Sequence, residues 1–153
     1  MNSLAEVVGS IDGSLVPYAL PELPRGRWEK RLPDDPDRAF VLEAVYEGFL
    51  LHYREPRAFA GMDSDMRLLA GDALYALGLE RLAQTGDIEA VAELADLISL
   101  CAQAEAAGRP DLTGELWEAS LRALSPGGGP GARAIVGERL ARAFGFPLEH
   151  TGS

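Results

Sequence analysis

The chain has one cysteine and two histidines among 153 residues, and a single lysine, Lys30, against thirteen arginines. Each scarcity removes a class of function. Cys101 alone cannot close an intramolecular disulfide, so a reducing cytoplasm is the expected setting. Lys30 is the one candidate for any chemistry that needs a lysine amine. His52 and His150 lie far apart with no paired cysteines beside them, which argues against a zinc site. No serine stands with a histidine and an acid in a nucleophile motif. No uncharged apolar run approaches the ~20 residues that span a bilayer. The opening "MNSLAEVVGSID" lacks the basic and apolar regions of a secretory signal. Bases are outnumbered by acids, 14 to 24, for a net charge of -10. That disfavours nucleic acid, whose phosphates need basic surface, and an anionic membrane face. The charge instead keeps a Leu- and Ala-rich surface soluble.

What is present points to a globular helical protein. Apolar residues make up 47 % and charged residues 25 %, enough for a core of its own at this length. Residues 1–36 differ from the rest. Pro17, Pro21, Pro24, Pro33 and Pro36 forbid a long helix there, so the segment reads as a Pro-rich extended arm with at most one helical turn near Leu4 to Val8. It carries the basic cluster "RGRWEKR", in which Trp28 is either tucked onto the core or a partner anchor, Trp and Arg being enriched at interfaces.

From Asp37 onward the pattern is helical. Asp34 or Asp35 can cap a helix with Pro36 in its first turn. Val41, Leu42, Val45, Tyr46, Phe49 and Tyr53 follow at three- and four-residue spacing. Asp63 or Ser64 caps a second helix that stops at Gly86. A third starts at Asp87, with Ile88, Val91, Leu94, Ala95, Ile98, Cys101 and Ala102 expected on its buried side and Glu89, Glu93, Asp96 and Gln103 opposite. Gly108-Arg109-Pro110 ends it, and Asp111 opens a fourth through Leu124. "SPGGGPG" is a hinge before a fifth, at residues 132–144. The expectation is an all-α bundle of about five main helices. It forms a single helical domain over 37–146, with the arm before it and a frayed end over 147–153.

The acid clusters "DDPD" (Asp34 to Asp37) and "DSD" (Asp63 to Asp65) fall where helices begin, and capping explains them better than Mg²⁺. Cys101 on an apolar face reads as a small core residue. The glycine run before "ARAIVGER" lacks the Gly-Lys-Ser/Thr of a phosphate loop. The unusual pair is Gly71-Asp72, in the middle of a helix where Ala and Leu would serve better. Gly71 and Gly78 share a face and admit a second backbone. Asp72, among Leu68, Leu69, Tyr75 and Ala76, is expected to be partly buried and to need a partner.

"LLAGDALYALGLERLA" (Leu68 to Ala83) resembles the helix that follows the first aspartate-rich motif in trans-polyprenyl diphosphate synthases. "QTGDIEAVAELADLI" (Gln84 to Ile98) is similar to the matching region of the small subunit, component I, of heterodimeric heptaprenyl diphosphate synthase. The Gly-Asp pair, the Gly-Asp-Ile turn and their separation carry the resemblance, which spans Met66 to Ile98. The motifs that would hold Mg²⁺ and an allylic diphosphate are missing from the sequence: "LLHYREPRAFAGMDSD" contains no Asp-Asp-x-x-Asp, and none follows downstream. The resemblance therefore implies a noncatalytic accessory subunit without a cofactor of its own, Mg²⁺ belonging to a catalytic partner. Menaquinone side-chain synthesis is the implied context, and the partners are a catalytic synthase chain or, in isolation, a second copy. Leu69, Leu74, Tyr75 and Leu77 are the expected interface or product-wall positions, Asp72 an organising contact, and Trp28 a further partner candidate. The rival from a different class is a free-standing helical interaction domain with no isoprenoid role. A small enzyme with an unfamiliar site is a third reading.

Overall fold

The computed structural model describes residues 2–134. Its elements are α1 (Ser3–Val8), a 3-10 turn (Gly13–Tyr18), α2 (Pro36–Tyr53), α3 (Ser64–Thr85), α4 (Ile88–Ala106), a second 3-10 turn (Pro110–Leu112) and α5 (Thr113–Leu124). The protein is all-α. Among the described residues the only β pairing is an isolated antiparallel bridge, Ala19 to Phe59. No described helix is long and apolar enough to cross a membrane. The fifth expected main helix, 132–144, and the tail 147–153 lie outside the described residues, save the first three of that helix.

Local chemistry sets the helix ends. Asp35 accepts the Arg38 amide at 3.0 Å with Pro36 in the first turn, and Asp63 accepts the Met66 amide at 2.8 Å. Both acid clusters thus supply N-caps. Gly86 closes α3 at φ +76°, a left-handed conformation that favours glycine, and its amide bonds the Ala83 and Leu82 carbonyls. Gly108 at φ +70° follows α4 in the same way.

The chain divides into two compact units, Met1–Ile88 and Glu89–Ser153, so the division falls after Ile88 rather than at Asp37. In the first unit α2 is the axis. It is buried on almost every side, from Ala39 to Leu51, with Tyr46 the half-buried exception. A helix apolar all round is one that neighbours wrap, and both neighbours are in this unit. On one side α3 runs antiparallel to α2 at close range. A Cβ on Gly48 would stand 2.7 Å from Tyr75 Cδ1 and 2.9 Å from the Gly71 carbonyl oxygen. A Cβ on Gly71 would meet His52 Cδ2 at 2.6 Å, and one on Gly78 would meet Val45 Cγ2 at 2.9 Å. Missing side chains on both helices let the backbones approach. Charge pins the two ends: Arg38 to Asp87 at 2.8 Å, Arg81 to Asp37 at 3.2 Å, and Arg67 to the carbonyls of Leu50 and Leu51 at the end of α2 and of Arg54 just after it. A guanidinium there also suits the negative end of the helix dipole.

On another side lies the segment 1–35, which is not a free arm. Leu4, Val7, Leu15, Trp28 and Leu32 are buried. Prolines keep it from forming a long helix but not from packing. Its α1 helix is capped by Asn2, whose side chain also accepts the Gly26 amide at 3.0 Å and so ties the segment's two ends. Glu29 accepts the Ser3 amide at 2.8 Å, which holds its carboxyl below the ordinary 4.5; burial opposes this and Arg25 adds to it. A depressed folded-state value contributes stability above the unfolded value and loses it as pH falls through the folded one. Glu29→Gln is therefore expected to flatten the decline of the urea midpoint below about pH 5, against an unchanged decline if the bond is idle.

In the second unit the buried side of α4 is Ala90, Leu94, Leu97, Leu100, Cys101 and Ala104; Leu94 and Cys101 are where they were expected, but Ile88, Val91, Ala95, Ile98 and Ala102 are not buried. Ile88 is 78 % exposed. The two acids Glu93 and Asp96 account for the rotation. Glu93 accepts the Ser120 hydroxyl at 2.6 Å and the Ala132 amide at 3.0 Å, and Asp96 pairs with Arg133 at 3.0 Å. The acids thus border the packed side instead of opposing it. Cys101 is buried, a small core residue as expected.

Candidate functional site

Two features of the first unit stand out from ordinary packing: a buried acid cluster and an exposed helix face.

The cluster is made by Glu43 and Glu47, one turn apart on α2 and fully buried. Glu43 accepts from the Ser3 hydroxyl at 2.9 Å, the Arg27 and Trp28 amides at 3.1 Å each, and Arg57 Nη1 at 2.5 Å. Glu47 accepts from the Arg57 amide at 2.8 Å, Arg57 Nε at 2.9 Å and the Ala58 amide at 2.9 Å. One carboxylate clasps the N-terminal segment and the other the α2–α3 loop, with Arg57 shared between them. The Arg57 guanidinium also lies 4.9 Å over the Tyr46 ring, a further favourable contact for a cation. Gly26 leaves the room this needs, because a Cβ there would collide with Ser3 Oγ and stand 2.7 Å from Glu43 Oε2. Every oxygen of the pair is occupied and inaccessible, so its chemistry is that of a structural clasp. This pair was absent from the sequence-based candidates. Its signal was two glutamates at four-residue spacing inside "AFVLEAVYEGFLL", an otherwise apolar helix.

The exposed face belongs to α3. Leu68 and Leu69 are 51 % and 65 % exposed. Ala73 and Ala76 share that side, as do Asp65, Asp72 and Glu80. Asp72 is not partly buried as expected: its side chain is 73 % exposed. The glycine, not the acid, faces α2, and one residue along a helix turns the next side chain outward. Asp72 does have a partner, His52 Nε2 at 3.0 Å, and His52 stacks on Tyr75 at 5.2 Å between centroids. Next to Leu68 a shallow groove of about 570 Å³ runs between the end of α2 and the start of α3, lined by Leu51, His52, Tyr53, Arg54 and Arg67 among others.

The other sequence candidates separate cleanly. Tyr75 and Leu77 are half-buried on α3. Leu74 is in the core, 1 % exposed, and so offers no surface to a partner or product. Trp28 is buried too, edge-on to Tyr46 at 5.4 Å with the Arg27 guanidinium 5.0 Å over its ring. It is not a surface partner anchor: the indole is spent on holding the N-terminal segment to α2. The structure therefore brings Leu69 and Asp72 together on one surface, with Tyr75 behind them, and leaves Leu74 and Trp28 inside. Among the described residues no three His, Cys, Asp or Glu side chains group to hold a metal ion. No family model, curated protein or solved structure matches the chain.

Proposed function

We propose that the chain is a noncatalytic accessory subunit of a heterodimeric trans-polyprenyl diphosphate synthase, acting in isoprenoid chain elongation and product-length control. The observation that carries the reading is the position of Leu68 and Leu69. They stand exposed on α3, the helix that contains Leu-Leu-Ala-Gly-Asp and bears the resemblance to component I. Adjacent exposed leucines with Ala73 and Ala76 on one helix face make an apolar surface, and apolar surface rimmed by polar residues is a mark of a protein contact when it is contiguous. In this reading Leu69 meets the catalytic chain, and Asp72 organises the contact by fixing His52 and, through it, Tyr75. The catalytic chain holds Mg²⁺ and the diphosphates, and an apolar helix from a second subunit completes the wall beside the growing tail. The setting is cytoplasmic, which suits a lone buried thiol, and the route is that of menaquinone side chains.

Affinity purification of the tagged chain from its native host tests the reading. A prenyl diphosphate synthase chain is expected in stoichiometric amount. Recovery of the chain alone would leave the free-standing helical domain as the better account.

A further inference from the structure

We infer that the outward face of α3 is built for a partner surface that is basic as well as apolar, and that it does not pair with a second copy of itself. The inference rests on the accessory-subunit reading and adds the chemistry of the partner. The exposed residues of α3 include Asp65, Leu68, Leu69, Asp72, Ala73, Ala76 and Glu80. Their helical angles interleave three carboxylates with two leucines and two small residues. The helix has two bases, and both are directed at α2. Arg67 bonds the carbonyls at the end of α2, and Arg81 pairs with Asp37 and lies 3.8 Å over the Phe40 ring. Asp72 is bonded to His52 of α2, and neither base of α3 turns to this face, which therefore presents an excess of acid.

A two-fold contact sets a patch against the same patch. Here that would place carboxylates against carboxylates as the leucines met, and like charges across an interface oppose binding. Arginine or lysine interleaved with apolar side chains reverses the sign. Ala73 and Ala76 leave room for a helix to come close. The occupant is therefore an amphipathic helix of another protein with a basic border.

The test uses the full chain, labelled with ¹⁵N, and two designed helical peptides with the same leucine seam, one bordered by arginines and one by glutamates. The arginine peptide is expected to bind and to shift the amides of α3 around Leu69 and Ala76. The variant D65K/E80K is expected to weaken that binding by about tenfold. The control E22K/D34K makes the same change in net charge at two exposed residues outside α3, and is expected to leave it intact. Equal loss in both variants, equal binding of the glutamate peptide, amide shifts elsewhere, or a dimer of the chain through α3 would each overturn the inference. Its failure is separable from that of the accessory-subunit reading. A synthase complex that D65K/E80K leaves untouched refutes the charge argument alone. Peptide binding as expected, with no synthase complex formed, refutes the accessory role alone.

Discussion

Glu43→Ala is expected to destabilise the first unit by about 3–5 kcal/mol, the usual cost of removing one partner from a buried ion pair. The truncation strands more than Arg57. The Ser3 hydroxyl and the Arg27 and Trp28 amides lose their acceptor at the same time, and a buried donor without an acceptor costs about 1–3 kcal/mol by itself. Three of the four bonds tie α2 to segment 1–35, so the segment should loosen first and carry Trp28 into water. Glu43→Gln keeps an acceptor in place and should cost less. Glu43→Ala and Glu47→Ala should not add, because both act on Arg57. The measurement is urea unfolding followed by tryptophan fluorescence in a Trp117→Phe background, where Trp28 reports on its own unit. An unchanged midpoint in Glu43→Ala would mean that the clasp contributes nothing.

Gly48→Ala should also destabilise, although alanine improves helix propensity by about 1 kcal/mol. The new Cβ would stand 2.9 Å from the Gly71 carbonyl oxygen and 2.7 Å from the Tyr75 ring. A side chain can swing away, but a backbone oxygen inside a helix cannot, so α3 must retreat along its length. Overpacking of this kind costs about 1–3 kcal/mol, which exceeds the propensity gain when the obstacle is backbone. Gly114 provides the contrast. It lies in the first turn of α5, and nothing stands within 4 Å of where its Cβ would be. Gly114→Ala should be neutral or stabilising, by up to about 1 kcal/mol. Opposite signs at the two glycines, read from urea midpoints, separate packing from propensity. A stabilised Gly48→Ala would show that the helices have slack at their crossing.

Where a boundary depends on local chemistry, the sequence was readable. Asp35 with Pro36, Asp63 and Gly86 each act on the backbone within a few residues, and the helices begin and end beside them. The packing role of Gly71 and Gly78 was readable as well, because a shared helix face follows from spacing alone. What depended on distant partners was not. The buried side of α4 turns on Ser120, Ala132 and Arg133, and an apolar helix offers more than one side that could be covered. The clasp joins Ser3, Arg27, Glu43 and Arg57, residues brought together only by the fold. Segment 1–35 looked extended because prolines stop helices, yet Leu4, Val7, Trp28 and Leu32 gave it enough apolar area to bind α2. The exposure of Asp72 follows the same logic: its neighbours were apolar, but the closest approach of α2 is at Gly71. On the surface, the sequence singled out Leu69 and Asp72, read Asp65 only as part of a cap, and missed Glu80 beside them.

The most direct test of the accessory role is a reconstituted condensation assay. The purified chain, the host's catalytic polyprenyl diphosphate synthase chain and the two together are each supplied with Mg²⁺, an allylic diphosphate and labelled isopentenyl diphosphate. The chain alone should give no product, and the mixture should form a complex whose activity or product length differs from that of the catalytic chain alone. Turnover by the isolated chain, or a mixture indistinguishable from the catalytic chain by itself, would contradict the account.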